Sequence, residues 1–327
     1  MNIAILDDYQ DQVRQLDCFS LLREHAVTVF SHPARGSGQL AVRLARFDAI
    51  ILSGTATTLS APLLRRLPKL RYIAQVGRLG EHLDLAAARA LNIVIDVTGD
   101  DPIAPAELTW GLILAATRQI PAYASNLREG VWRMVSIEPR YNRLGRRLHE
   151  QRLGVWGYGP VGKLVAGYGK AFGMKVIVWG SPTALAAARA DGVENASSKQ
   201  ALLQQADILS LHLGLQAETR GIISAADLAT MKPTALLVNT SHADLIEPGA
   251  LELALEAGRP GAAAIDLDDT EPLAAQTALL TRPNVLATPR IGALEVDSYE
   301  RSFRSAFANL LAFAADGPSA VTDGKAI

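Results

Sequence analysis

Leu153-Gly154-Val155-Trp156-Gly157-Tyr158-Gly159-Pro160-Val161-Gly162 is the stretch from which the fold is read. Its apolar first half has the length and composition of a short buried strand, and the segment from Val161 onward has the pattern of a helix. Three glycines at Gly-x-Gly-x-x-Gly spacing sit between the two. The first permits the tight turn, the second lets backbone approach a pyrophosphate, and the third lets helix and strand pack closely. The helix N-terminus behind them favours negative charge. In this strand–turn–helix setting the pattern marks a dinucleotide site, with Gly157, Tyr158, Gly159, Pro160, Val161 and Gly162 as its candidate residues.

Outward from this turn the chain alternates short apolar runs with amphipathic segments. Strands are predicted at 153–156, 175–179, 208–211, 235–238, 262–265 and 285–287, with helices at 161–171, 184–190, 199–205, 225–231, 248–257 and 296–315. Upstream, strands are predicted at 3–6, 27–30, 49–52, 71–76 and 93–97, alternating with helical patterns at 39–46, 61–67 and 83–91. Such alternation gives parallel sheets covered by helices on both faces. A long helical pattern, 105–129, joins the two series; Pro105 opens it and Pro121 kinks or divides it. The fold class is therefore α/β, with two doubly wound parallel-sheet domains. The segment 140–152 is basic, poor in large apolar residues, and reads as a solvated connector.

Composition narrows the function classes. The 327 residues are 49% hydrophobic and 20% charged with a formal net charge of −1, which is globular and offers no electrostatic case for nucleic acid or an anionic membrane. No secretory signal pattern opens the sequence, and the longest apolar run, 108–117, is too short to span a bilayer. The single cysteine, Cys18, fits a reducing compartment, so a soluble cytoplasmic protein is expected. His25, His32 and His149 lack partners at ligand spacing, and the acidic run at 266–269 lacks the glycine turn and distal glutamate of a calcium loop. No metal is expected.

The end of the strand after the glycine turn ordinarily carries an acidic side chain for the adenosine ribose. Here Trp179 runs into Gly180-Ser181-Pro182, with no carboxylate. An acid there would repel a 2′-phosphate, so the cofactor is left open between NAD and NADP, with Gly180 and Ser181 beside its ribose.

With these residues in hand the chain resembles the D-isomer-specific 2-hydroxyacid dehydrogenases over nearly its whole length. The resemblance rests on Pro105-Ala106-Glu107-Leu108-Thr109, the cofactor strand and turn, Ala206-Asp207-Ile208-Leu209-Ser210-Leu211-His212-Leu213, Glu218-Thr219-Arg220, Met231-Lys232-Pro233 and Val238-Asn239-Thr240-Ser241. It implies a flavodoxin-like substrate domain (1–100 plus 291–327), a Rossmann cofactor domain (101–290), a cleft between them, a homodimer, and a small 2-keto or 2-hydroxy acid as substrate. It further implies that Gly77, Arg78, Leu79 and Gly80 offer backbone N–H groups to a substrate carboxylate. Leu211, His212, Asn239, Thr240, Ser241, Asp266 and Gly292 would lie beside the nicotinamide. For His212 a packed, hydrogen-bonded role competes, and for Asp266 a turn or cap. Apolar residues in excess of one face on the joining helix (Leu108, Trp110, Leu112, Ile113, Leu114) suggest a partner surface.

Reducing a 2-keto acid takes a cation to hold the carboxylate and polarise the carbonyl, an acid to protonate the oxygen, and a carboxylate to orient that acid. The family supplies an arginine, a histidine and a glutamate. Glu271 matches the glutamate, but His242 stands where the arginine belongs and Arg290 where the histidine belongs. Three readings follow. The site works with roles transposed, Arg290 as clamp and His242 as acid, although Glu271 would then pair with Arg290. Alternatively the substrate or rate has shifted, with Glu107 or His82 as substitute groups; the bland readings are a first-turn helix residue for Glu107 and a surface loop histidine for His82. Or the chain is a catalytically silent dinucleotide-binding protein with a regulatory or interaction role.

Overall fold

The computed structural model describes residues 1–32, 34, 36–77, 79–99, 101–266 and 279–317. The chain divides into two compact units: Met1–Asp101 with the chain from Leu294 onward, and Pro102–Ala293.

The first unit is a five-stranded sheet of β1 (Asn2–Leu6), β2 (Ala26–Val29), β3 (Ala49–Leu52), β4 (Tyr72–Gln75) and β5 (Val94–Val97), in the order β2-β1-β3-β4-β5. Every pairing is parallel. Alternation along β1 explains the layers. Ile3 and Ile5 face a core with Phe303, Phe307, Leu310 and Phe313 of the helix Val296–Asp316, whereas Ala4 and Leu6 face Leu40, Leu44, Leu63 and Leu64. With both faces covered, the strands read as unbroken apolar runs. A buried polar trio ties the C-terminal helix to this sheet: the Tyr72 hydroxyl (2.9 Å) and Asn309 Nδ2 (3.0 Å) both donate to Asp96 Oδ2. Burial and the Asp96 charge push the Tyr72 phenol far above its ordinary pKa.

The second unit holds β6 (Arg152–Trp156), β7 (Lys175–Trp179), β8 (Glu194–Asn195), β9 (Ile208–Leu211), β10 (Leu236–Asn239), β11 (Ala262–Asp266) and β12 (Val285–Thr288). Their order is β12-β11-β10-β9-β6-β7-β8, again all parallel. Counted within the unit this is the doubly wound order 3-2-1-4-5-6 with one further strand, and it reverses direction between β6 and β9. One face packs Trp156, Ile177, Leu209, Leu211, Leu237 and Ile265; the other packs Leu153, Val155, Val178, Ile208, Val238 and Ala264. Two-residue β8 pairs only with β7 and carries no apolar alternation, which is why the sequence gives no sign of it.

The joining helix differs from its expected form. It is two helices, Ile103–Thr117 and Ile120–Arg128, separated at Gln119 in the left-handed region (φ 55°), with Pro121 in the first turn of the second. Pro105 lies inside the first turn, where its missing N–H costs no hydrogen bond. Trp110, Leu112 and Ile113 are buried in the unit's own core, with the partly buried Leu108 and Leu114 packed against it, so most of the apolar excess on this helix is taken up within the unit. In the connector Leu148 is buried, whereas Leu144 is 89% exposed.

Candidate active site

Register places the site. Trp156 pairs with Trp179 on one side and Leu211 on the other; Leu211 pairs with Asn239, Asn239 with Ile265, and Asp266 with Thr288. The carboxyl ends of six parallel strands therefore lie in one row, and the turns that leave them carry Gly157, Gly180, His212, Thr240–His242, Asp266 and Arg290. In open α/β sheets ligands bind at this edge, over the point where strand order reverses.

At that point stands the glycine turn. Gly157 has φ 97°, and a Cβ added to it would collide with the carbonyl oxygen of His212. A Cβ on Gly162 would collide with the carbonyl oxygen of Gly157. Both positions are closed to any larger residue. Gly159 differs: nothing lies within 4 Å of where its Cβ would stand, and it caps the helix Pro160–Ala171 without a side-chain hydrogen bond. Open space in front of an uncapped helix N-terminus is what a pyrophosphate requires, so the residues fit a dinucleotide. Val161 is partly buried, and Tyr158 is buried with its hydroxyl 3.1 Å from Asp191 Oδ2; burial raises that phenol to about 12.

At the end of β7, Gly180 packs on Gly157, whose Cα and N would both stand 3.6 Å from an added Cβ. Ser181 caps the helix Pro182–Ala190, its Oγ accepting from Ala184 N at 3.2 Å and lying 2.9 Å from Thr183 Oγ1. Two hydroxyls thus occupy the position where an acid was sought.

Past β9 and β10 the turns are laced together. His212 N donates to Trp156 O (2.8 Å) and its Nε2 lies 2.8 Å from Ser210 Oγ. Burial drops the imidazole pKa to about 4, so His212 is neutral and packed. Asn239 closes the turn Asn239–His242: its Nδ2 donates to His242 O (2.8 Å) and its Oδ1 accepts from Ser241 N (3.1 Å). Ser241 Oγ donates to Leu211 O at 2.9 Å, and the Thr240 hydroxyl meets Thr109 Oγ1 at 2.6 Å. Thr109 spends its own hydroxyl hydrogen on Pro105 O (2.7 Å), which leaves Thr240 as donor in that pair. His242 follows in extended conformation and is partly exposed.

Past β11 and β12 the carboxylate of Asp266 organises the turn. Its Oδ1 accepts from Thr288 Oγ1 (2.7 Å) and Ile291 N (2.9 Å), and its Oδ2 from Gly292 N (2.9 Å). Burial lifts its pKa above the ordinary carboxylate range against the opposing pull of these bonds and of Arg290. Asp266 thus ties the end of β11 to the turn that follows β12. Arg290 is partly exposed with φ 51°, a conformation rare for a residue with a side chain. Glu271 lies outside the described residues.

In the first unit Gly77 follows β4 with φ 77° and donates its N–H to Thr98 Oγ1 at 3.3 Å. Leu79 and Gly80 continue the loop, and Arg78 lies outside the described residues. His82 is not a surface residue: it is 8% exposed, with Nε2 2.7 Å from Gln75 Oε1. Glu107 is exposed and stands one turn inside a helix that begins at Ile103, two residues earlier than expected. The sequence did not reveal the supporting roles of Thr109, Ser210 and Thr288; Ser210 and Thr288 are hydroxyl residues near strand ends, and Thr109 lies within a helix. Among the described residues no group of three or more His, Cys, Asp or Glu is placed to hold a metal.

A doubly wound parallel sheet with a glycine turn at its switch point and polar turns along the same edge defines a nicotinamide-dinucleotide oxidoreductase domain. Residues 110–292 match the family model described as the NAD-binding domain of D-isomer specific 2-hydroxyacid dehydrogenases. The chain belongs to that family. It is 37% identical over 254 residues to the glyoxylate reductase of Aeropyrum pernix, covering 77% of this chain and 76% of the relative. It is 36% identical over 245 residues to the D-3-phosphoglycerate dehydrogenase of Methanocaldococcus jannaschii, covering 75% of this chain but 45% of that longer protein. Among solved structures, a phosphoglycerate oxidoreductase from Vibrio cholerae superposes with a TM-score of 0.89 at 41% identity, covering 96% of this chain and 99% of the other. A Ralstonia solanacearum oxidoreductase superposes with a TM-score of 0.93 at 48% identity, covering 98% and 96%. These relatives support the enzymatic reading over the silent one.

Proposed function

We propose that the chain reduces a small 2-keto acid to its 2-hydroxy acid, or the reverse, with Arg290 and His242 in exchanged roles. The observation that carries this is the register. The His242 turn leaves β10, the Arg290 turn leaves β12, and β11 with Asp266 runs between them. Two strand spacings are about 10 Å, a span that a small substrate flanked by two long side chains can bridge. Arg290, whose guanidinium stays charged, holds the carboxylate and polarises the carbonyl. His242 gives its proton to the carbonyl oxygen as that oxygen becomes an alkoxide. The bound nicotinamide supplies the hydride. Glu271, matching the family glutamate, would orient whichever of the two it faces. Leu79 and Gly80, together with Arg78, would add backbone donors to the carboxylate, while the Gly77 N–H is held by Thr98 Oγ1 and shapes the turn. The relatives' names bring glyoxylate and phosphoglycerate-type acids forward as candidates.

For the cofactor, the glycine turn holds the pyrophosphate, and Leu211, Asn239 to Ser241, Asp266 and Gly292 border the nicotinamide. Gly180 offers only backbone, and Ser181 and Thr183 offer hydroxyls, with no charge among them for the ribose, which supports NADPH as well as NADH. A homodimer is supported by the exposed apolar residues Ile120, Leu127, Trp132, Ile137 and Leu144 in one stretch of the second unit. Light scattering at micromolar concentration tests it, a monomer counting against. A cytoplasmic location is the reading we carry from the single cysteine, Cys18, which is buried with its thiol pushed up to about 12 chiefly by burial. No helix among the described residues is long and apolar enough to cross a membrane.

The test is NADH and NADPH titration by fluorescence, followed by a panel of 2-keto acids on the same sample. Binding with oxidation by at least one acid is expected; tight binding with no turnover contradicts the proposed reaction.

A further inference from the structure

The carboxyl edge of the first unit's sheet holds a polar hub that the reaction above does not use. Gln75 ends β4 with no exposure to solvent. Its Nε2 donates to Gly54 O (3.2 Å) in the turn after β3 and to Val76 O (2.9 Å) at the head of the loop after β4. Both amide hydrogens are thereby spent, so Oε1 can only accept, and His82 Nε2 must carry the hydrogen that it donates across 2.7 Å. The backbone of Gln75 joins in: the Thr98 hydroxyl donates to Gln75 O at 3.4 Å while Thr98 Oγ1 accepts from Gly77 N.

These bonds tie both ends of the Gly77–Gly80 loop to one residue. At its start the loop is fixed through Val76 and, by way of Thr98, through Gly77. At its end His82 is fixed twice, by its ring to Gln75 and by its carbonyl, which accepts from Leu59 N at 2.7 Å. Gly80 lies against the ring; a Cβ there would stand 3.1 Å from His82 Nδ1. Anchoring both ends of a loop to a buried amide narrows what the backbone between them can sample, so less of the cost of ordering it falls on a ligand.

We propose that Gln75 and His82 are positioning residues that fix the Gly77–Gly80 loop and thereby set the enzyme's affinity for the substrate carboxylate. This rests on the reading that the loop receives that carboxylate. In this proposal the pair acts through the backbone of the loop and not by contact with the substrate or the cofactor. Its loss therefore acts on the KM for the 2-keto acid, and leaves kcat and the KM for NADH in place.

The experiment is steady-state kinetics on the full chain with NADH and the best 2-keto acid of the panel. His82→Leu removes the donor to Gln75 and is expected to raise the KM for the acid about tenfold. The kcat and the KM for NADH should stay within about twofold. His82→Gln, which keeps a donor, should return the KM to within about threefold of wild type, and amide exchange across residues 76–80 should quicken in His82→Leu alone. If His82→Leu does not fold, Gln75→Glu decides by the same split, since it turns one donor into an acceptor facing two carbonyl oxygens. An unchanged KM, or a parallel collapse of kcat and NADH affinity, overturns the proposal. A wild-type enzyme that binds NADH and reduces no 2-keto acid overturns the functional reading itself and takes this inference with it. An unchanged KM in an enzyme that does turn over leaves that reading standing.

Discussion

The two ends of one sheet edge obey different rules. Around the glycine turn, residue identity is fixed by contact: Gly157 and Gly162 have backbone carbonyls where any side chain would begin. Two to four strands away, at His242 and Arg290, the backbone turns are held by neighbours (Asn239, Asp266, Thr288), and the side chains in question are partly exposed. Sterics leave the first end no alternative. At the second end the turns are held by bonds to Asn239, Asp266 and Thr288, and the two residue types there stand exchanged relative to the pattern the resemblance implies.

That contrast is open to breaking. At the steric end, Gly162→Ala should abolish measurable NADH binding or unfold the second unit, because helix and turn cannot both keep their places. Gly159→Ala should melt within about 2 °C of wild type yet bind NADH about tenfold more weakly, since its Cβ enters open space. Fluorescence titration and thermal melts check both, and equal behaviour of the two variants would break the contrast. At the chemical end, His242→Gln and Arg290→Gln should each lower kcat/KM by about 10²–10⁴ with NADH affinity within threefold.

Smaller effects sharpen the middle of the edge. His212 titrates near 4 in the fold and near the ordinary 6.5 when unfolded, so the unfolded chain binds more protons between those values. Stability is then greatest above pH 6.5 and falls as pH drops toward 4, by up to about 3 kcal/mol from this residue. Urea titrations at pH 7 and pH 5 should show a smaller loss in His212→Gln than in wild type; equal losses would put the acid sensitivity elsewhere. Least of all, Thr109→Val removes the acceptor for Thr240 and should cost about 1 kcal/mol, read as a shift of about 2–4 °C in Tm.

Much of this was legible in the residues alone, and the reasons are physical. Apolar runs and the glycine spacing are local constraints, so the strands of both sheets, two-residue β8 apart, and the turn at Gly157 appear in the sequence much as they do in the fold. The divided helix was legible only in part: Pro121 announced a break, but the left-handed Gln119 that makes it did not. The apolar excess on the first of these helices was hard to read, because a helix packed both on its own sheet and against the helix Pro160–Ala171 looks like one awaiting a partner. His82 misled in the opposite sense. A histidine beside Glu81 in a polar loop reads as solvated, and only the distant ends of β3 and β4 meeting at Gln75 bury it. Hydrogen bonds between residues far apart in sequence, such as Thr109 with Thr240, leave no periodic trace.

The most direct test of the exchanged site is a four-member cycle: wild type, His242→Arg, Arg290→His and the double exchange, each assayed for kcat/KM on the same 2-keto acid. The single variants leave two cations and no acid, or two acids and no clamp, and both should fall at least a hundredfold. The double exchange restores one of each and should recover to within about tenfold of wild type or exceed it. A single variant as active as wild type, or a double exchange no better than the singles, would contradict the assignment of clamp and acid to Arg290 and His242.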